Sequence, residues 1–163
     1  MAESELIRAW LSLGSNMNPQ GQIADALEAL RERFGKLVVS PVYESEAVGF
    51  NGDNFHNLVV GIETRLPALE LVRQLRRIEV DHGRVRGAEK FSSRTLDIDL
   101  LTYSDRIIDE RGVQVPRDEI LRYAFVLLPL SEVAPHERHP VTGQTYSELW
   151  AEFDASDQPL WRI

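Results

Sequence analysis

The segment "SSRTLDIDLLTY", Ser92–Tyr103, constrains the fold more than any other part of the chain. Its centre alternates between leucine or isoleucine at one parity and Asp97 and Asp99 at the other. Because successive side chains of a β-strand point to opposite faces, this alternation predicts a strand with one apolar face. The two aspartates then share the other face, about 7 Å apart along the chain. Carboxylates at that spacing repel each other, so their placement requires a local reason.

A basic segment directly precedes this strand. It is "GRVRGAEKFSSR", residues 83–94, and it carries Arg84, Arg86, Lys90 and Arg94 against a single acid. The whole chain, in contrast, has a formal net charge of −8. A surface with that balance repels a polyanion, so we expect no nonspecific binding to nucleic acid.

The composition is that of one soluble globular domain. The 163 residues are enough to bury a core, and we predict a single domain over residues 1–163. The sequence contains no cysteine, no apolar run near the ~20 residues of a membrane span, and no signal-peptide pattern in "MAESELIRAW". We therefore expect a cytoplasmic protein that does not bind membranes.

The periodicity of the chain predicts the element order β-α-β-β-α-β. "ELIRAWLSLGSN" reads as a strand, and a helix should run from Pro19, after the N-cap residue Asn18, to Gly35. "LVVSPVY" and "NLVVGIET" read as two strands, and a second helix is predicted from about Pro67 to His82. The aspartate strand follows. This order is the split βαβ pattern of ferredoxin-like folds, with two helices on one face of an antiparallel sheet and the other face free. The apolar segment "YAFVLLPL" in the last third should add a strand or helix at the sheet edge.

The aspartate pair is a candidate magnesium site. Mg²⁺ takes one or two carboxylates and leaves its other positions to water and phosphate oxygens. A bound cation removes the repulsion between Asp97 and Asp99, and the neighbouring arginines could then clamp a polyphosphate. The alternative is a strand whose polar face is simply solvated. The adjacent basic segment favours the functional interpretation.

A second candidate site lies in "SEAVGFNGDNFHN", residues 45–57. Phe50 and Phe55 offer aromatic faces, and the amide of Asn57 offers both donors and acceptors, a combination that suits a flat heterocycle. The alternative is a hairpin loop in which Phe55 belongs to the core.

The chain resembles the 6-hydroxymethyl-7,8-dihydropterin pyrophosphokinase family from end to end. The matching motifs are "LSLGSN", "SPVYESEAVG", "NFHNLVVGIET", "GRVR" upstream of "RTLDIDLL", and "AFVLLPLSEVAP". The resemblance implies an α+β fold, with a ferredoxin-like βαββαβ core, an antiparallel sheet and a C-terminal extension. It also implies transfer of pyrophosphate from ATP to the hydroxymethyl group of the dihydropterin in folate biosynthesis, with release of AMP.

The same resemblance implies a set of site residues. Two Mg²⁺ ions would be bound with ATP by Asp97 and Asp99, which join Arg84 and Arg94 as catalytic residues. The residues implied to bind the pterin are Ser45, Val48, Phe55, Asn57 and Phe125, the two phenylalanines stacking on its faces. The residues implied to bind the nucleotide are Glu79, Arg84, Arg86, Arg94 and Arg117. As partners the resemblance implies ATP and a dihydropterin, and we expect a monomer.

Three positions depart from the family pattern, and one of them is Phe91, where family members often have a tryptophan. Family members usually have a histidine where this chain has Arg117, and an arginine where it has Tyr123. One cation and one hydrogen-bonding ring are retained, so we expect an active enzyme with Arg117 on the ATP phosphates. Two alternatives remain, a transferase for a related pterin and a weakly active regulator that binds a pterin or nucleotide. The presence of both aspartates and both catalytic arginines argues against the regulator.

Overall fold

The computed structural model describes residues 5–46, 53–82 and 96–163. The elements are, in chain order, β1 (Ile7–Ser15), α1 (Pro19–Phe34), β2 (Val38–Val39), β3 (Tyr43–Ser45), β4 (Phe55–Thr64), α2 (Ala68–Asp81), β5 (Asp97–Tyr103), β6 (Ile108–Glu110), β7 (Val113–Val115), α3 (Glu119–Arg122), α4 (Ala124–Val133), α5 (Tyr146–Glu152) and β8 (Leu160–Arg162). Within these ranges, no helix combines the length and apolar character needed to cross a bilayer.

The main sheet has the strand order β5-β1-β4-β3-β8, and β2 also pairs with β4. Each of these pairings is antiparallel. The core β1-α1-β3-β4-α2-β5 is therefore the predicted ferredoxin-like unit, and β8 extends the sheet beyond β3. Strands β6 and β7 form a separate hairpin.

The predicted strand "LVVSPVY" is interrupted in the structure, and forms β2 and β3. Pro41 lacks the N–H that a continuous ladder requires. At the break, the backbone N–H of Ser40 donates to the Val59 carbonyl at 2.9 Å. The Ser40 hydroxyl accepts from the Val59 N–H at 2.8 Å, so a side chain replaces one acceptor of the ladder.

Helices α1 and α2 cover one face of the sheet, as the sequence predicts. The buried side chains that meet there include Ile23, Ala26 and Leu30 of α1, Leu71, Leu75 and Ile78 of α2, and Leu11, Leu58, Ile98 and Leu100 of the strands. This first face holds the larger of the two hydrophobic clusters. The apolar parity of the aspartate strand points into it.

The second face of the sheet is covered as well, so the prediction that it is free is wrong. Helices α3, α4 and α5 pack on it, and their buried side chains join Trp10, Val59 and Leu101 of the strands. The segment "AFVLLPLSEV" forms α4, a helix with Pro129 inside it. Because this segment is apolar on nearly every side, it lies over the sheet rather than at its edge. The molecule has three layers, helices on both sides of one sheet.

Gly61 allows the closest approach within the second cluster. A Cβ atom at this position would lie 2.5 Å from the indole ring of Trp10, which packs across β4. The Trp10 indole N–H donates to the Glu137 carboxylate at 3.0 Å, and this hydrogen bond fixes the ring. A side chain at position 61 therefore has to displace a buried, anchored ring.

We predict that Gly61→Ala lowers the free energy of unfolding by about 1–3 kcal/mol, the usual cost of overpacking a core. Urea denaturation followed by far-ultraviolet circular dichroism would measure the loss. In a Trp10→Phe background, the smaller ring should reduce the penalty, which tests the coupling of the two positions. An equal penalty in both backgrounds would mean that the indole ring is not its cause.

Candidate active site

A row of residues crosses the sheet on its second face, where β1, β4 and β5 meet. Tyr43 pairs with Asn57, Asn57 with Gly14, and Gly14 with Asp97. Directly opposed residues of antiparallel strands have side chains on the same face, so Asn57 and Asp97 flank a position without a side chain. Their Cα atoms are separated by two strand spacings, about 10 Å. A Cβ atom at Gly14 would lie 3.0 Å from the Asn57 amide oxygen and 3.8 Å from the Phe55 ring.

The aspartate pair lies at one end of this row. Asp97 and Asp99 are half-buried on β5, and Ile98 between them is fully buried on the first face. A β-bulge follows in β5. Trp10 of β1 pairs with Thr102 and the next residue, Leu11, pairs with Leu100, so β5 has one extra residue at this point. Bulges increase local twist and are frequent beside active sites.

Asp99 has two guanidinium neighbours. Arg76 Nη2 lies 3.3 Å and Arg117 Nη1 4.0 Å from its Oδ1 atom, and the Asp99 side chain is 21% exposed. Burial raises the pKa of Asp99 and the charge of Asp97 adds to the rise, while Arg117 and Arg76 oppose it. The net shift is upward. The two arginines therefore do not offset the combined effect of burial and of the neighbouring Asp97 charge.

Arg117 lies beside the aspartate pair, which places one predicted nucleotide-binding residue there. Its backbone N–H donates to the Leu101 carbonyl at 3.0 Å, so the residue is held against β5. Its guanidinium also pairs with the Glu119 carboxylate. Tyr123 stands where family members usually have an arginine. Its ring stacks on Phe125, with ring centroids 5.0 Å apart.

Glu79 is buried behind β5, with 1% of its side chain exposed. Its Oε2 atom accepts from the Ile98 N–H at 2.7 Å, and its Oε1 atom accepts from Arg76 Nη1 at 2.6 Å. These contacts link the predicted nucleotide-binding glutamate to the strand that carries both aspartates. No sequence motif identified Arg76 as a residue near the aspartates. The one local indication of its pairing with Glu79 is their spacing of three residues, which places both on one face of a helix.

Three of the predicted pterin-binding residues lie together at the other end of the row. The Asn57 amide nitrogen donates to the Ser45 hydroxyl at 3.1 Å, and both side chains are buried. Phe55 begins β4 and belongs to neither hydrophobic cluster of the described residues, so it is not a core residue. Phe125 lies on α4, in the layer that covers this face.

Four predicted site residues, Val48, Arg84, Arg86 and Arg94, lie outside the described residues. Their roles remain predictions. Over residues 5–46, 53–82 and 96–163, no cluster of three or more histidine, aspartate or glutamate side chains could hold a metal ion by itself. A cation at Asp97 and Asp99 would therefore need ligands from a bound molecule or water.

Comparison with known proteins gives one consistent family. The family model described as 7,8-dihydro-6-hydroxymethylpterin-pyrophosphokinase (HPPK) matches residues 10–135. The 2-amino-4-hydroxy-6-hydroxymethyldihydropteridine pyrophosphokinase of Pseudomonas aeruginosa is 38% identical over 149 residues, which are 88% of this chain and 90% of that protein. The protein of the same name from Haemophilus influenzae is 36% identical over 152 residues, 91% of this chain and 94% of that protein.

Solved structures agree on the fold. A structure described as HPPK-DHPS in complex with substrates has a TM-score of 0.75 at 14% identity and is matched over 94% of this chain. The Plasmodium falciparum HPPK-DHPS with pterin and p-hydroxybenzoate has a TM-score of 0.70 at 16% identity, over 93% of this chain. This chain spans 44% of each of those two chains.

We predict that Asp99→Asn stabilises the protein at neutral pH. The pKa of Asp99 is raised on folding, by burial first and by Asp97 second, so the folded state binds the proton more tightly than the unfolded state. Its contribution to stability is therefore greatest at low pH and is lost as the pH rises through the folded-state pKa. An uncharged amide removes that loss.

Urea unfolding of the two proteins at neutral pH and at a series of lower pH values would measure the effect. The gain should shrink as the pH falls, because Asp99 of the native sequence then takes up its proton. Asp105→Asn, at an exposed turn, is the matched control and should show no gain. A loss of stability in Asp99→Asn at neutral pH would mean that the ion pairs with Arg76 and Arg117 outweigh burial.

Proposed function

Because the chain belongs to the 7,8-dihydro-6-hydroxymethylpterin-pyrophosphokinase family, we propose that it transfers pyrophosphate from ATP to the hydroxymethyl group of 6-hydroxymethyl-7,8-dihydropterin, with Mg²⁺ as cofactor and AMP as second product. This reaction is a step of folate biosynthesis. The choice of ATP as donor and of Mg²⁺ as the ion is our proposal. The family assignment supports the pyrophosphate transfer itself.

The observation that carries the proposal is the row Asn57–Gly14–Asp97. It aligns a buried amide with a carboxylate pair about 10 Å away on the same sheet face. The missing side chain at Gly14 leaves room between them. A heterocycle held at the amide end would direct its hydroxymethyl substituent toward a polyphosphate at the carboxylate end, which is the geometry that the transfer needs.

The residues at the carboxylate end fit magnesium. Asp97 and Asp99 supply hard oxygen ligands, and the pKa of Asp99 is raised, by burial first and by the charge of Asp97 second, which a bound cation would counteract. With no third protein ligand among the described residues, the remaining positions suit phosphate oxygens and water. When bound, the ions would stabilise negative charge on the transferred pyrophosphoryl group and on the AMP that leaves.

The chain's own residues would bind and orient the substrates. Asn57 would read the amide edge of the pterin, and Phe55 and Phe125 would stack on its faces. Ser45 and Val48 would add local contacts. Tyr123 stacks on Phe125 and would support that ring. We do not expect it to take over the role of the arginine that family members usually have at this position.

The nucleotide end depends on permanent positive charge. Arg117 would hold a phosphate, and its guanidinium stays charged at pH values where the family's histidine loses its proton. Arg84 and Arg94 would stabilise charge that develops on the phosphates, and Arg86 would help bind them. The contacts of Glu79 support an indirect role, through the strand that carries the aspartates.

Mixing the protein with ATP, Mg²⁺ and 6-hydroxymethyl-7,8-dihydropterin tests the function, with AMP separated from ADP by chromatography. AMP in equal amount to the pterin diphosphate supports it. A regulator would bind both ligands and release no AMP. An enzyme for a related pterin would release AMP faster with that pterin.

We predict that Asp97→Ala and Asp99→Ala each lower turnover by about 100-fold or more, since even residues behind a metal's ligands cost about 10–100-fold. The AMP assay measures the loss, and circular dichroism checks that both variants remain folded. Asp105→Ala, at the exposed turn, is the control and should turn over normally. If either site variant kept near-native turnover, the pair would be only a solvated strand face.

We predict that Asn57→Ala raises the KM for the pterin by about tenfold or more, because leaving a buried heterocycle edge unpaired costs about 1–3 kcal/mol. The KM for ATP should change little. Steady-state kinetics with each substrate varied in turn separates the two constants. Gln114→Ala, which removes an exposed amide on the β6–β7 hairpin, is the control. An unchanged pterin KM would restrict Asn57 to its hydrogen bond with Ser45.

A further inference from the structure

Arg76 connects helix α2 to the strand of the two aspartates through three acceptors. Its Nη1 atom donates to Glu79 Oε1 at 2.6 Å and to the Ile98 carbonyl at 2.9 Å. Its Nη2 atom donates to Asp99 Oδ1 at 3.3 Å. One planar guanidinium therefore joins a buried acid, a main-chain carbonyl and a candidate metal ligand.

Ile98 is the residue between the two aspartates, and α2 fixes both of its main-chain polar groups. Glu79 accepts from its N–H, and Arg76 donates to its carbonyl. Strand β5 is at the end of the strand order, so no strand of the described ranges pairs with it on that side. The Arg76–Glu79 pair supplies hydrogen-bond partners to the Ile98 N–H and carbonyl at this edge, as an additional strand would. It thereby fixes the peptide groups on which both aspartate side chains are carried.

Among the described residues, the side chains that approach Asp99 do so at one oxygen. Arg76 Nη2 lies 3.3 Å and Arg117 Nη1 4.0 Å from Oδ1. Arg76 donates a hydrogen bond to Oδ1 and Arg117 adds a longer ion pair at the same atom, so within the described residues Oδ2 is the oxygen left to a ligand. Such outer contacts orient metal ligands and strongly affect their affinity.

We propose that Arg76 is a positioning residue for the cation site, holding Ile98 and Asp99 so that the second Asp99 oxygen faces a divalent ion. This inference rests on the proposed function, which supplies the ion. The proposed function does not assign a role to Arg76. The inference gives it one, and makes that role depend on the planar shape of the guanidinium. If Arg76 only balanced the negative charge of the aspartates, any positively charged side chain at this position would serve.

Two substitutions separate shape from charge. Arg76→Lys keeps the charge but replaces the planar fork by a single ammonium group, and Arg76→Gln removes the charge. The Arg76 side chain is 42% exposed, so both variants should fold. Arg73→Lys is the matched control, since Arg73 lies one turn earlier on α2, is more exposed and pairs only at 3.8 Å with Glu70.

The readout is Mn²⁺ binding in the presence of α,β-methylene-ATP, followed by electron paramagnetic resonance of the free ion. Mn²⁺ prefers the same oxygen ligands as Mg²⁺ and no turnover is involved. We expect Arg76→Lys to bind Mn²⁺ about tenfold more weakly than the native protein, with the pterin dissociation constant unchanged. Arg73→Lys should bind Mn²⁺ like the native protein. Hydrogen exchange of the Ile98 amide should be faster in Arg76→Lys.

Native Mn²⁺ affinity in Arg76→Lys, with a loss only in Arg76→Gln, would overturn the inference in favour of a counter-charge. An equal loss of Mn²⁺ and pterin affinity would overturn it in favour of general loosening of the fold. Both results leave AMP release by the native protein intact. Failure of the proposed function would instead appear in the native protein itself, as the absence of AMP.

Discussion

The structure depends on keeping two carboxylates together at the edge of a sheet against their mutual repulsion. Strand β1 holds one side of β5 through regular pairing, and the α2 pair Arg76 and Glu79 holds the other side through side chains. Arg117 approaches from the covering layer and is itself anchored to the β5 main chain. Burial first and the charge of Asp97 second still raise the pKa of Asp99 above its ordinary value, against the opposing effect of the two arginines. A cation bound at the pair would act in the same direction as the arginines.

The second face of the sheet has two parts with different requirements. Its lower part is apolar and packs against α4 and α5, with the indole of Trp10 across Gly61. Its upper part is polar and leaves a gap at Gly14 between an amide and a carboxylate. Both parts depend on a glycine. Gly61 allows the Trp10 ring to pack against the sheet, and Gly14 leaves space between Asn57 and Asp97. The apolar part gives the polar part a rigid support, because the same strands run through both.

The sequence was sufficient for the elements whose signal is local. The alternation around Asp97 predicts β5 and its two faces, helical spacing predicts α1 and α2, and the motifs identify the family. It was insufficient where distant segments meet. An apolar run such as "AFVLLPLSEV" does not show which surface it covers, so the prediction that it lies at the sheet edge is wrong. A hydroxyl in a strand ladder, as at Ser40, and a guanidinium that reaches a strand from a helix, as at Arg76, depend on contacts across the fold.

Gly14 has a consequence for how substrate preference can diverge in this fold. The floor of the gap between Asn57 and Asp97 is main chain, and even the smallest side chain there would press on the Asn57 amide oxygen at 3.0 Å. A side chain in the floor therefore requires the Asn57 amide to move, and with it the group proposed to hold the heterocycle. The walls are side chains of separate elements, such as Ser45 on β3 and Phe125 on α4, and each can be substituted without moving that amide. A change of substrate preference is accordingly easier to reach through the walls than through the floor.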